Sequence, residues 1–378
     1  MMLRSSSLTV LSCALLVGCS GIDGPPALVA DTRDLPHTEL VAGLEAPIVS
    51  DRNQLWCASL PLAWQALEEA AGGELIVQGD VPPEVEWLRA SAVRPSDIQD
   101  GELVIQAGRQ DAGLLDQIRS ERIARGLGQA PDERPAGGAT LFFTYARLEK
   151  ALPFEKTFDD FERGPIEFQT GRHVRPREQS VSRVLPRAVQ VDAFGIPGYD
   201  PSDDAHHAMG KQVHVWRHVD ADDFVIELVP EDATDRIFVA VVPEARTLAE
   251  AWEHVASEGG ASKPGRISPG DVIAIPEIDV ELGQIYAALS GLDLALPEEG
   301  PALLSEMGQD LRLRLDEEGM VVRSQAWGEV SSAAPGQPRQ FVCDGPFVLA
   351  AIERDAQQPW LVARIAHPEL LQAVDGDE

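Results

Sequence analysis

The chain has 378 residues, 62 acidic against 31 basic, and a formal net charge of −31. A negative surplus scattered along the chain argues against nucleic-acid binding, which needs basic patches, and reads as a solubility device or the mark of a high-salt habitat that leaves basic partners permitted. A hydrophobic content of 44% is ample for one large domain or two small ones.

At the amino terminus Arg4 precedes an apolar run from Leu8 to Val17, too short to span a bilayer as a final helix. Leu16-Val17-Gly18-Cys19 has the cleavage pattern of a bacterial lipoprotein signal. This predicts removal of residues 1–18 and lipidation of Cys19, and hence a lipid-anchored protein of the bacterial cell envelope; Ser20 suits the outer membrane. The alternative is an ordinary secretory signal with a chance cysteine. Residues 19–51, with Pro25, Pro26, Pro36 and Pro47, read as a tether to a domain over residues 52–378.

Leu60, Ala63, Trp64, Leu67 and Ala71 recur at helical spacing before Gly72-Gly73. Leu103 to Ile105 is a short strand, Leu114 to Arg125 an amphipathic helix, and Gln129 to Gly138 a loop. Several strands are expected between Val181 and Val242, with an acidic Gly/Pro loop from Gly195 to Gly210. Thr247 to Glu258 reads as a helix and Gly259 to Gly270 as a loop. Unequal helices among strands, with no regular βαβ alternation, predict an α+β fold.

The last 70 residues carry the most information. Leu311, Leu313 and Leu315 alternate with Arg312 and Arg314, as in a strand with one buried face. Asp316-Glu317-Glu318-Gly319 is a turn, after which Met320, Val322, Ser324, Ala326, Gly328 and Val330 share one side of an extended chain. Ser331 to Pro338 reads as an exposed connection, and Val348 to Ile352 with Trp360 to Ile365 as a hairpin entered through Asp344-Gly345-Pro346-Phe347.

This order resembles the carboxy-terminal part of the serpins, the serine protease inhibitor superfamily: a strand, an acidic pair and hinge glycine, a reactive-centre loop, an "x-D-x-P-F" entry and an ending "R-x-x-x-P" at Arg364 and Pro368. Leu152-Pro153-Phe154, the pair of segments from Asp223 to Pro243, and Asp271 to Leu296 resemble further serpin blocks in the right order. The resemblance implies a large central β-sheet with a second sheet and flanking helices, a protease as partner, no cofactor and a monomer. It places the reactive-loop candidates at Gly319, Met320, Val322, Ser332, Ala333 and Ala334. Inhibitory serpins carry a small residue and an alanine-rich run where Met320, Val321, Val322 and Arg323 stand here. Bulky or β-branched residues slow insertion of a cleaved loop, so a non-inhibitory relative, with Met320 to Val330 already in the sheet, is the second form of this reading.

An enzyme alternative is a cysteine hydrolase. Cys57 precedes a helix whose dipole would favour a thiolate, Gln54 could donate to an oxyanion, and His206, His207, His214 or His218 could act as base. The same histidines permit a metal reading, but His214, Trp216 and His218 alternate with valines as on any strand, so no metal is expected. Asp200, Asp203 and Asp204 lack the calcium-loop pattern. No nucleophile elbow, phosphate-binding glycine loop or zinc-helix motif is present. Cys57 and Cys343, the cysteines of the folded part, are a disulfide or two buried thiols.

Overall fold

The computed structural model describes residues 30–99, 102–109, 142–161, 166–170, 188–243, 245–261, 263–297, 300–320 and 338–373, with a few positions between 113 and 120. The strands are, in chain order, β1 (Ala30–Asp31), β2 (Thr38–Leu40), β3 (Asn53–Cys57), β4 (Ile76–Val77), β5 (Leu103–Arg109), β6 (Phe142–Leu148), β7 (Leu152–Pro153), β8 (Asp159–Asp160), β9 (Ile166–Gln169), β10 (Ala188–Val191), β11 (Ala193–Ile196) and β12 (Val213–Asp220). There follow β13 (Asp223–Leu228), β14 (Asp235–Val241), β15 (Val272–Pro276), β16 (Ile278–Ile285), β17 (Leu292–Leu296), β18 (Gly300–Leu304), β19 (Gly308–Leu315), β20 (Gly319–Met320), β21 (Gln340–Val342), β22 (Phe347–Glu353) and β23 (Leu361–Ile365). The helices named below are α1 (Ser59–Ala70), α2 (Pro83–Ala90), α3 (Asp204–Lys211) and α4 (Leu248–Ala261).

The largest sheet has seven strands in the order β12-β13-β14-β22-β23-β3-β2, antiparallel throughout except for the parallel pair β2 and β3. Its middle is built from the end of the chain. Val348 to Ala351 and Leu361 to Ala363 are buried on both faces, which is why they read as unbroken apolar runs instead of alternating. The expected hairpin is present, pairing Leu349 with Ala363. Arg364 donates to the carbonyls of Val49, Ser50 and Arg52, and Asn53 accepts from the amides of Ala366 and His367, so the "R-x-x-x-P" ending is clipped to the segment that leads into β3.

A four-stranded sheet, β21-β15-β11-β8, lies near this one, and a three-stranded sheet, β1-β16-β19, continues from β15 into β16. The pair β5 and β6 forms a separate ladder. Both β6 and β19 rest on α1, where the Thr144 hydroxyl donates to Ala63 O at 2.9 Å and Gln309 Nε2 donates to Ser59 Oγ at 2.9 Å. Helix α1 follows the predicted spacing, buries Leu60, Ala63, Trp64 and Leu67, and stops at Gly72-Gly73, whose amides return to Glu69 and Glu68. The architecture is α+β, as expected, with several β layers and flanking helices around one contiguous apolar core.

Three sequence expectations need correction. The folded part does not start at residue 52, because β1 joins β16, β2 joins β3, and Leu40, Val41, Ala42 and Ala46 are buried. The loop expected from Gly195 to Gly210 contains the end of β11 and all but the last residue of α3, whose start is capped by Asp203 accepting from the amides of Ala205 and His206 at 2.8 and 3.0 Å. Helix α4 runs through Gly259 and Gly260 to Ala261, past the expected stop. The amphipathic segment from Leu114 to Arg125 lies mostly, and the loop from Gln129 to Gly138 wholly, outside the described residues. Among the described residues no helix is long and apolar enough to cross a membrane.

Candidate functional site at the turn after the leucine strand

Strand β19 pairs along its whole length with β16, burying Leu313 and Leu315, while Arg312 faces out to Asp279 and Glu281. The turn that follows is tied at every residue. The Asp316 carboxylate accepts from the Glu318 amide at 3.0 Å and from Arg314, and the backbones of Asp316 and Gly319 exchange hydrogen bonds of 3.0 and 3.3 Å. Two carbonyls of the turn face another segment: Glu318 O accepts from Phe154 N–H at 2.8 Å and Glu317 O from Phe158 N–H at 2.9 Å.

Gly319 and Met320 then form β20, antiparallel to β7, with Gly319 opposite Pro153 and Met320 opposite Leu152. Gly319 has φ +150°, and a Cβ there would lie 2.6 Å from Leu152 O and 2.7 Å from Pro153 Cα. Only glycine fits so close an approach. Met320 is 3% exposed, so the first residue beyond the turn is already a core residue. Leu152-Pro153-Phe154 owes its place in the sequence to this docking: Leu152 and Pro153 form the edge, and Phe154 packs edge-on to Phe158 with ring centroids 4.9 Å apart.

Of the reactive-loop candidates, Gly319 and Met320 are thus seated in a ladder, while Val322, Ser332, Ala333 and Ala334 lie outside the described residues. So does the lipidation candidate Cys19. The chain is described again from Pro338, and β21 runs parallel to β15, with Arg339 paired to Asp271 at 2.6 Å.

Beside the turn sits Glu277, between β15 and β16. Burial, with the like charges of Glu317, Asp160, Asp192 and Asp316, pushes its carboxyl up to about 8. Sequence reading missed it, because nothing local separates this glutamate from many others in so acidic a chain.

It also missed Lys150, whose ammonium is buried among Glu102 at 2.6 Å, Asp235 at 3.0 Å and Glu353 at 2.7 Å. Trp360 Nε1 donates to Asp235 at 2.9 Å. Burial opposes the Lys150 charge, but the three carboxylates outweigh it and raise its pKa. The carboxylates of Glu102, Asp235 and Glu353 lie close enough together to hold a metal ion, and Lys150 already fills the space between them.

The cysteine hydrolase constellation does not assemble. Cys57 is buried, and burial raises its thiol pKa despite its place before α1. Gln54 is fully committed, donating to Glu39 at 2.7 Å and Pro47 O at 2.9 Å and accepting from Val49 N–H at 2.9 Å. Strands β13, β14, β22 and β23 separate β3 from β12, which carries His214 and His218. Five strand spacings amount to roughly 24 Å. His206 meets Asp159 at 3.2 Å, His214 meets Glu227 at 3.3 Å, and His218 packs on Phe341, so these three side chains do not converge on one centre. Cys343 is a second buried free thiol, so the disulfide reading gives way to its alternative.

No family model matches the chain, and neither does any curated protein. Solved structures do match. The chain is similar to serpins. Serpin48 of the insect Tenebrio molitor is 12% identical over 83% of this chain and 91% of that one, with a TM-score of 0.45. Human thyroxine-binding globulin complexed with its hormone is 11% identical over 85% and 93%, at 0.48. A tumour suppressing serpin is 12% identical over 84% and 93%, at 0.49.

Proposed function

We propose that the protein is a serpin-like, lipid-anchored component of the bacterial envelope that does not spring as a protease trap. In this reading Gly319 and Met320 stay docked on β7, and the domain serves as a stable binding or structural module that a protease can meet but not trigger. The observation that carries it is the docking of Met320, buried and paired with Leu152 at the first residue beyond the turn. Burying a methionine side chain contributes about 1.5–3 kcal/mol, a cost to any state in which this residue swings free. The β-branched Val321 and Val322 that follow suit a strand better than a mobile hinge. The signal ending at Cys19 supports the anchor.

Limited proteolysis followed by thermal melting tests this. The protein should resist cleavage near Ser332, and its melting temperature should not change after protease treatment. A cut there that raises the melting temperature sharply, or a covalent complex with the protease on a denaturing gel, would identify an active trap instead. For the anchor, Cys19→Ser should move the protein from the membrane fraction to the soluble one.

A further inference from the structure

Strands β17 and β18 form a hairpin arm that continues the ladder of β16 and β19, and β4 pairs with β17 to make a three-stranded sheet with β18 at its edge. The two faces of this sheet differ. Val77, Leu294 and Leu296 are buried against the core, whereas on the outer face Ile76 and Pro301 flank Ala295, and Leu303 stands opposite Asp293. Ile76 is 54% exposed and Leu303 58%, which puts them among the most exposed large apolar side chains of the described residues.

Strand β18 is apolar on both sides, the composition of a central strand, yet among the described residues it has a neighbour on one side alone. Its inward side chains, Ala302 and Leu304, pack on the core but stay partly open, and Leu303 points the other way. Pro301 withholds one amide donor, and from Ala302 onward the strand carries the alternate N–H and C=O groups that an edge leaves unpaired. The acids beside it, Asp293 on β17 and Glu306 just past β18, are exposed and make no ion pair among the described residues.

We propose that β18 is a docking edge for an extended, basic segment of a partner protein, which adds to it as a fourth strand, lays apolar side chains over Leu303 and brings cations to Asp293 and Glu306. Charge and backbone chemistry select this occupant. A second copy of the chain would bring the same acids and a net charge of −31 against its own image. A lipid surface covers exposed apolar side chains but leaves the unpaired backbone groups of an edge unsatisfied. An added strand meets both needs, since its main chain completes the ladder, and basic flanks favour it by charge. The inference rests on this arm alone and not on whether the protein traps a protease.

The test is a fluorescein-labelled peptide of alternating valine and threonine with two lysines at each end, titrated with the full chain and read by fluorescence anisotropy. It should bind saturably, and a twin with glutamates in place of the lysines should bind at least about ten-fold more weakly. Leu303→Lys and Asp293→Lys should each weaken the lysine peptide about ten-fold or more. Their melting temperatures should match the wild type, because both side chains are exposed. In the complex, exchange at the β18 amides that are open in the free protein should slow at least about ten-fold. Absence of binding, equal affinity for the two peptides, unchanged affinity in either variant, or β18 amides that stay open in the complex would each overturn the inference. So would either of two other occupants: a dimer in sedimentation that Leu303→Lys abolishes, or another segment of the chain that already protects every β18 amide in the free protein.

Discussion

Two acidic centres of this molecule solve the same problem in different ways. Around Lys150, three carboxylates from distant parts of the chain surround a buried ammonium. At Glu277 burial, with the like charges of Glu317, Asp160, Asp192 and Asp316, pushes the carboxyl up to about 8. The first centre is held at any pH in the ordinary range, because lysine keeps its charge there. The second changes with conditions, and it lies under the turn from which the candidate loop departs.

The comparison breaks most sharply at Lys150. Lys150→Met should destabilise the domain by about 3–5 kcal/mol in urea unfolding, since it leaves three carboxylates without their counter-charge. A loss below about 1 kcal/mol would show that the cluster is not held as described.

Gly319→Ala should cost about 1–3 kcal/mol through backbone strain and contact with Leu152 O. Exchange at Phe154 and Phe158 should rise well above any global effect, and an alanine that leaves both amides protected would refute the tight docking.

Glu277→Gln has the opposite sign. It should stabilise the protein by about 1–2 kcal/mol at pH 8.5 and do nothing near pH 4.5, where wild-type Glu277 is already neutral. Equal effects at both pH values would point to packing instead of charge.

Glu227 provides a control with depressed affinity for protons. Burial works against its charge, yet hydrogen bonds from His214, Arg236 and Trp216 bring it down to about 2. Its contribution is present above the ordinary glutamate range and lost as pH falls toward 2, so Glu227→Gln should flatten the acid limb of the stability profile.

The smallest expected effect is on the thiols. A thiol-directed reagent should leave Cys57 and Cys343 unmodified in the native state, and rapid labelling of either would contradict their burial.

Much of this architecture was legible where the pattern is local. Leu311, Leu313 and Leu315 announce a one-faced strand, Val348 to Ile352 a buried one, and Leu60 to Ala71 a helix, because each signal fits within a dozen residues. The turn from Asp316 to Gly319 was legible too, through its acidic residues and closing glycine. What escaped is non-local or inconspicuous. Lys150 finds Asp235 and Glu353 only after folding, from 85 and 203 residues away. Residues 30–51 looked like linker because of their prolines, although Leu40 to Ala42 already carried the apolar run that joins the core. Helix α3 was hidden among Gly, Pro and Asp, and its one signal was the capping Asp203.

The central strands of the seven-stranded sheet, β22 and β23, come from the final thirty or so residues of the polypeptide. During synthesis, β14 and β3 therefore wait with unsatisfied edges until β22 and β23 emerge. Truncation before Phe347 should accordingly abolish cooperative unfolding, whereas a truncated form that still melts in one sharp transition would show that the earlier strands can close without their centre.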